Sequence, residues 1–242
     1  MHKWVVAGLF VLGCSVVGLF YLIAAQQTDP EAARRTLALA RMVTGLWLLW
    51  TCLCGSAMWL LRHRARALVA RLPGNPRVVF VLFCIALGGL EEAVTVAMTN
   101  LAPLFGAALG EVYITASANW LDVVALHSVV VFVPCFIAMA LILSRWAFSP
   151  FALFLAFGAV GTLGEAIYSG QFDLWVQFPF WVWIYGLMVW LPAFCLPQTG
   201  ARRPGVWAHV LLVPGIVLLA FPGVALVVWV ITGVLEHPAV HF

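Results

Sequence analysis

The chain has 242 residues, of which 65% are hydrophobic and 9% charged, whereas soluble domains carry about 25% charged residues. No soluble core of this size could bury so much apolar side chain, so the composition excludes a soluble globular domain and predicts the lipid bilayer as solvent. The formal net charge is only +3, and no nucleic-acid partner is expected.

Continuous apolar runs of about twenty residues predict an all-α integral membrane protein. Reading the chain in windows of about nineteen residues gives seven transmembrane helices in one bundle, so residues 1–242 form a single polytopic membrane domain. Pro192 is expected to end the sixth span, and Pro214 and Pro222 to kink the seventh. The predicted spans lie near 4–25, 37–61, 78–99, 122–143, 151–169, 177–196 and 206–234.

The distribution of basic residues predicts the orientation of these spans. Arginines cluster in the 62–77 segment and recur at Arg145, Arg202 and Arg203, and Lys3 precedes the first span. With seven spans all of these fall on one side, which the positive-inside rule makes cytoplasmic. The N-terminus is then cytoplasmic and the C-terminus outside, as expected for a bacterial inner (plasma) membrane protein. Five acidic residues fall on the outer side: Asp29, Glu31, Glu111, Asp173 and Glu236.

Four spans carry ionisable residues at a similar depth. At about 1.5 Å per residue, Glu91 lies about 20 Å and Glu165 about 21 Å from the inner ends of spans three and five. His127 and Arg41 lie just below the outer starts of spans four and two. In a hydrocarbon core about 30 Å thick, these positions predict one polar layer in the outer third.

This layer is the predicted functional site. An ionisable residue inside the membrane is costly and is by default a functional-site hypothesis. The acidic groups outnumber the one fixed positive charge, so protons or a bound cation must balance them, and a protonated carboxylic acid is a Brønsted acid. The predicted catalytic residues are Glu91, Glu92, Glu165 and His127. The predicted substrate-binding residues are Arg41, which could pair with a carboxylate, Asp122, Asn119, Tyr168 and Trp120.

A divalent metal is the less favoured way to balance the charge. Carboxylates with a histidine suit iron, manganese or zinc. Asp122 and His127, however, are five residues apart and would lie on different faces of an α-helix. The predicted spans contain no His-x-x-x-His or Glu-x-x-His pair, and His237 and His241 in the C-terminal tail are expected to be solvated.

Three functions remain open at this stage. Aromatic residues around the layer form either an interfacial belt or a pocket that favours an enzyme doing acid–base chemistry on a lipid or isoprenoid-like substrate. A proton- or cation-coupled transporter is the main alternative, although no inverted repeat is visible and the inner halves of the spans lack polar residues. The third is a non-catalytic subunit of a membrane complex, with an unidentified partner. The only lysine, Lys3, excludes a retinal pigment of the Schiff-base type.

Overall fold

The computed structural model describes residues 2–196 and 201–242, apart from the side chains at positions 2 and 173. Within these residues the chain is helical, and isolated β-bridges are the only extended pairings. Six helices are long and apolar enough to cross a membrane, or seven if the bent pair Trp120–His127 and Val129–Leu143 is one span. This architecture fits the predicted helical multi-pass membrane protein. Of the predicted outer acidic groups, the side chain of Asp173 lies outside the described residues.

The chain forms two long helical segments before residue 76. One of them runs without interruption over Pro30–Val69. The elements are α1 (His2–Gln26), α2 (Pro30–Leu46), a π-helical segment (Trp47–Cys54), α3 (Gly55–Val69), α4 (Pro76–Asn100) and α5 (Ala102–Phe105).

The second half begins with a bent segment in which a π turn joins two α-helices. The axes of its two parts differ by 51°. The elements are α6 (Trp120–Asp122), a π turn (Val123–His127), α7 (Val129–Leu143), α8 (Pro150–Ser169), a 3-10 helix (Phe172–Gln177), α9 (Phe178–Cys195), α10 (Val206–Val210), α11 (Leu212–Trp229) and a second π turn (Val230–Val234).

Three long helices start with the same local signal, a capping side chain followed by proline. The side chains of Asp29, Asn75 and Ser149 accept backbone N–H bonds of 2.9, 2.9 and 3.1 Å. Each cap satisfies a free N–H of the first turn, and the proline that follows is pre-set for a helix and needs no N–H partner. The helix that contains span two therefore begins at Pro30, seven residues before the predicted hydrophobic segment.

Prolines inside the helices interrupt them less than the sequence predicts. Pro192 lies inside α9, which continues to Cys195, so the expectation that it ends the span is wrong by about one turn. A proline removes one hydrogen bond to the preceding turn but still accepts through its carbonyl, here from Leu196 N at 3.0 Å. The seventh span does break, at Leu211 between α10 and α11, three residues before Pro214.

Helix α9 is the centre of the bundle and packs against α1, α3, α4 and α8. Its sequence is apolar on all faces, as is typical of a helix buried on every side. Glycines allow the closest approach, to α8: Gly158 faces Val182, and Gly161 faces the ring of Tyr185. This contact holds Tyr185 against α8 about one turn from Glu165.

The polar groups of interest gather at one end of the bundle. This histidine end comprises the end of α4, the 101–119 loop, α6, the end of α8 and the 235–242 tail. The opposite, arginine end comprises the end of α3, the start of α4 and the α7–α8 connection. Large apolar side chains with almost no exposure fill the bundle between the two ends: Phe80, Phe136, Phe157, Met139 and Leu153.

The α8–α9 contact predicts that a methyl group added at Gly158 lowers the stability of the protein, whereas one added at Gly164 does not. In Gly158→Ala the new Cβ collides with Val182, including its backbone, so the helices must separate. Overpacking of this kind costs about 1–3 kcal/mol, and we expect a lower melting temperature in detergent.

Gly164→Ala, on the same helix, is the matched control because nothing lies within 4 Å of its new Cβ. Its melting temperature should be unchanged or higher, since alanine favours a helix over glycine by about 1 kcal/mol. Equal melting temperatures for the two variants would contradict the close α8–α9 contact.

Candidate functional site

Helix α4 carries two neighbouring carboxylates into the bundle interior. Glu91 and Glu92 are 3% and 6% exposed. The hydroxyl of Thr95 donates to Glu92 Oε2 at 2.8 Å, and the side chains of Ser128 and Thr115 also interact with Glu92. Among the described residues, Glu91 has no hydrogen-bond partner for its side chain. The two glutamates therefore occupy different environments although they are adjacent in sequence.

A third carboxylate reaches the same place from α8. Glu165 accepts a hydrogen bond from the buried hydroxyl of Tyr185 and interacts electrostatically with Glu91 and Glu92. Tyr185 interacts electrostatically with all three carboxylates. Glu91, Glu92, Glu165 and Tyr185 thus form one interacting group, which we call the carboxylate cluster. Their catalytic roles stay predictions.

A second polar group lies at the histidine end, formed by Asp122, His127, His237 and His241. One ligand-type atom from each of these residues lies within 4.8 Å of all the others. The Nε2 atoms of His127 and His237 are 2.9 Å apart. Asp122 Oδ1 is 3.1 Å from His237 Nε2, and its Oδ2 is 3.3 and 3.4 Å from Nε2 of His127 and His241. We call these four residues the His–Asp cluster.

The π turn explains how Asp122 meets His127. The sequence prediction that these residues lie on different faces is wrong because it assumed α-helical geometry. The 123–127 segment is π-helical, and Ser128 N donates to Val123 O at 2.9 Å, a bond between residues five apart. The wider turn brings residues at this spacing onto one face, and such π turns occur frequently at functional sites.

The C-terminal tail supplies the other two histidines. His237 was expected to be solvated, but only 17% of its side chain is exposed, so that expectation is wrong. Glu236 just before it has a φ of 49°, the one positive φ of a non-glycine residue in the described chain, and His237 N donates back to Ile231 O. The tail therefore turns toward the bundle. His241 is 41% exposed, but its ring still reaches Asp122.

The sequence contained a signal for these two residues. The letters HPAVH at 237–241 are a His-x-x-x-His spacing, which the prediction of a metal site from the sequence missed. The two histidines do not lie on one face of a helix, as this spacing usually indicates. They come together because the tail bends over the ends of the helices.

Contacts beyond the histidines fix the tail. The hydroxyl of Tyr168 donates to Ala239 O at 2.8 Å, and His241 N donates to Ala116 O at 3.0 Å. The rings of Phe242 and Tyr113 lie 5.0 Å apart between centroids. Tyr168, which was predicted to bind substrate, therefore holds the tail through a hydrogen bond, and its role in substrate binding stays a prediction. The tail is held on one side by α8 and on the other by the 101–119 loop.

That loop is in turn tied to α2 by arginines. Arg34 and Arg35 both pair with Glu111, and Arg41 donates to Phe105 O at 2.9 Å. Arg41 is exposed and belongs to no ion pair of the described residues, so its predicted pairing with a carboxylate is not formed. Its long side chain instead reaches the carbonyl at the end of α5, where a cation is electrostatically favourable.

The remaining two predicted substrate-binding residues position α6. Asn119 caps this helix, because its Oδ1 accepts from Leu121 N at 3.0 Å. The indole N–H of Trp120 donates to Gly89 O on α4 at 2.8 Å. Both contacts hold Asp122 beside α4, two residues along from Trp120.

The fold and the site together define a helical membrane protein with a carboxylate cluster next to a His–Asp cluster. His127 belongs to the His–Asp cluster, whereas the next residue, Ser128, interacts with Glu92, so one peptide step links the two. No protein-family model, curated protein or solved structure matches the chain. A functional proposal therefore depends on the geometry of these two clusters.

The Arg34–Glu111 pair predicts a pH effect on stability. The guanidinium of Arg34, and then the N–H of Ala108, lower the pKa of Glu111 from 4.5 to about 2. A carboxyl group whose pKa is lower in the folded state stabilises the fold above its unfolded pKa and loses that contribution as the pH falls toward its folded pKa. We expect Glu111→Gln to lower the melting temperature at neutral pH, and the difference from wild type to shrink between about pH 4.5 and about pH 2.

Thermal unfolding of both proteins across this pH range measures the effect. Glu31, which pairs with Arg34 but faces solvent, gives the control variant Glu31→Gln. A difference between wild type and Glu111→Gln that stays constant on acidification would contradict the role assigned to this pair.

Proposed function

We propose that the chain crosses a bacterial inner membrane seven times, with its arginine end in the cytoplasm. The arginines of the 62–77 segment and Arg145 and Arg202 lie at this end, and the backbones of Arg145 and Arg202 bond to each other at 3.0 Å. The positive-inside rule makes this end cytoplasmic, so the tail and the His–Asp cluster face the periplasm. Alkaline phosphatase fused after Phe242 should then be active, and an inactive fusion beside a fluorescent cytoplasmic reporter at the same position would reverse the orientation.

We further propose that the protein is a membrane-embedded enzyme that performs acid–base chemistry on a lipid or isoprenoid-like substrate. The observation that supports this most is the convergence of three carboxylates from α4 and α8 around Tyr185. Such groups are rare inside membrane helices and mark functional sites. A carboxylic acid held in an apolar surrounding is well suited to donate a proton.

The hydrogen bonds of the cluster suggest how the roles are divided. Glu92 is held by Thr95, with Ser128 and Thr115 nearby, and Glu165 is held by Tyr185. Glu91 has a buried side chain and no such partner among the described residues. We therefore assign Glu91 as the acid that meets the substrate. Glu92 and Glu165 hold the remaining charge and can take the proton back.

Charge balance supports proton chemistry. In the described part of the chain, no arginine or lysine pairs with any carboxylate of the cluster. Three neighbouring carboxylates in a low-dielectric interior cannot all remain charged without a counter-charge. Protons supply that counter-charge directly, and a proton on Glu91 is available for transfer.

The surroundings of Glu165 suggest a route for an apolar substrate. Glu165 is only partly buried, while Gly164 and Ile167 beside it on α8 are exposed and nothing lies within 4 Å of a Cβ at Gly164. If α8 faces lipid here, a molecule dissolved in the bilayer can approach the carboxylate cluster from the side.

The distribution of polar groups favours an enzyme over a transporter. Most buried polar side chains of the described chain lie in or above the carboxylate cluster, toward the histidine end, as with Thr95, Thr99 and Ser117. Toward the arginine end the bundle is filled by apolar side chains such as Phe80 and Phe136. Polar groups confined to one end of the bundle suit binding and catalysis better than a continuous path for ions.

The proposal predicts a chemical difference that can be seen without knowing the substrate. Wild-type protein and Glu91→Gln are placed in nanodiscs made from a total bacterial lipid extract supplemented with isoprenoid alcohols and diphosphates. Untargeted mass spectrometry over time should show one lipid class consumed and another formed by wild type. Removing a general acid lowers a rate by about 100-fold or more, so Glu91→Gln should give almost no product.

Glu31→Gln removes a glutamate outside the cluster and should behave like wild type. Identical lipid profiles for wild type, Glu91→Gln and Glu165→Gln would contradict the enzyme proposal. Proton flux in liposomes that Glu91→Gln abolishes, with no lipid product, would make the protein a transporter instead.

A further inference from the structure

We propose that Asp122, His127, His237 and His241 bind one divalent transition-metal ion, with zinc as the best match. Three imidazoles and one carboxylate are a ligand set that zinc uses, and imidazole also suits copper, iron and nickel. The proposal goes beyond the enzyme proposal and does not depend on it, because it rests on the His–Asp cluster rather than on the carboxylate cluster.

The spacing of the donor atoms matches a single metal centre. Atoms bound at about 2.0–2.1 Å around tetrahedral zinc lie about 3.3–3.4 Å from one another. The Nε2 atoms of His127 and His237 are 2.9 Å apart. The three contacts from Asp122 to the histidine rings measure 3.1, 3.3 and 3.4 Å. Each of the three histidines therefore lies within 3.4 Å of an oxygen of Asp122, and one donor atom from each of the four residues lies within 4.8 Å of all the others, close to the separation that coordination requires.

A buried oxygen without a hydrogen bond gives independent support. Asp122 Oδ2 is inaccessible to solvent and accepts no hydrogen bond among the described residues, although two imidazole nitrogens lie within 3.4 Å of it. A buried carboxylate oxygen left without a partner is unfavourable, and each such atom needs an explanation. A cation between the carboxylate and the imidazole nitrogens satisfies this oxygen and all three nitrogen lone pairs together.

The metal ion would also fix the fold of the tail. Asp122 and His127 belong to the first part of the bent segment, Trp120–His127, whereas His237 and His241 lie in the tail beyond α11. Coordination therefore joins two parts of the chain that are more than a hundred residues apart. Through His127 and Ser128 it also fixes the position of a side chain that interacts with Glu92.

Direct metal binding by the full-length protein tests the proposal. The protein carries a tag without histidine, is purified in detergent and is stripped with a chelator. Titration with Co²⁺ reports the site by optical absorption, and the intense visible bands of four-coordinate Co²⁺ should saturate at about one ion per chain, then disappear when zinc is added. This measurement needs no variant, so a folding failure cannot leave it undecided.

Variants identify the ligands. His237→Ala with His241→Ala in one protein should weaken zinc binding by at least about 100-fold, since losing even a supporting contact costs about 10–100-fold. His63→Ala and His209→Ala remove histidines outside the cluster and should bind zinc like wild type. Stripping the metal should speed proteolysis of the tail in wild type, and zinc should restore protection.

Two results would overturn the proposal. One is the absence of a saturable Co²⁺ spectrum in folded wild-type protein. The other is equal zinc affinity in the double histidine variant and in His63→Ala. Because neither readout involves a lipid product, failure of metal binding is distinguishable from failure of the enzyme proposal.

Discussion

The histidine end of the molecule is organised around the carboxylate of Asp122, whose Oδ2 atom is inaccessible to solvent. The π turn after it places His127 within 3.3 Å of Oδ2, and the turn at Glu236 sends the tail back so that His237 and His241 reach the same carboxylate. A carboxylate oxygen that is inaccessible to solvent and has no hydrogen-bond partner is unfavourable unless a positive charge is near it. Either protonated histidines or a metal ion must supply that charge, and the converging nitrogen atoms favour the metal.

The carboxylate cluster follows from the same physical constraint, applied deeper in the bundle. Glu91 and Glu92 are buried among the side chains of the bundle, where hydrogen bonds and counter-charges must replace water. The hydroxyl of Tyr185 donates a hydrogen bond to Glu165, and the hydroxyl of Thr95 donates one to Glu92. The glycine contacts between α8 and α9 make the first of these possible, because any side chain at Gly161 would collide with the Tyr185 ring. Packing and chemistry are therefore coupled in this part of the bundle.

The helical, multi-pass architecture could be predicted from the sequence because it follows from regular helical geometry, whereas the depth of the site residues stays a prediction. The apolar runs predict the helices, and a rise of about 1.5 Å per residue predicts that Glu91 and Glu165 lie level. Prediction from the sequence fails where local geometry departs from the α-helix. The π turn reverses the expected relation of Asp122 and His127, and no periodicity predicts that a tail folds over helix ends. The predicted pairing of Arg41 with a carboxylate also failed. Its long side chain can reach several acceptors, and its depth along the helix does not determine which one it contacts.

X-ray absorption at the zinc edge of the purified, zinc-loaded protein identifies the atoms around the metal without any assumption about activity, and so decides whether the His–Asp cluster binds it. Binding by Asp122 and the three histidines predicts nitrogen and oxygen neighbours at about 2.0–2.1 Å, with the outer-shell scattering of imidazole rings. Sulfur neighbours at about 2.3 Å would assign the metal to cysteines instead. A shell of water oxygens without imidazole scattering would mean that the His–Asp cluster binds no metal, and would contradict the account.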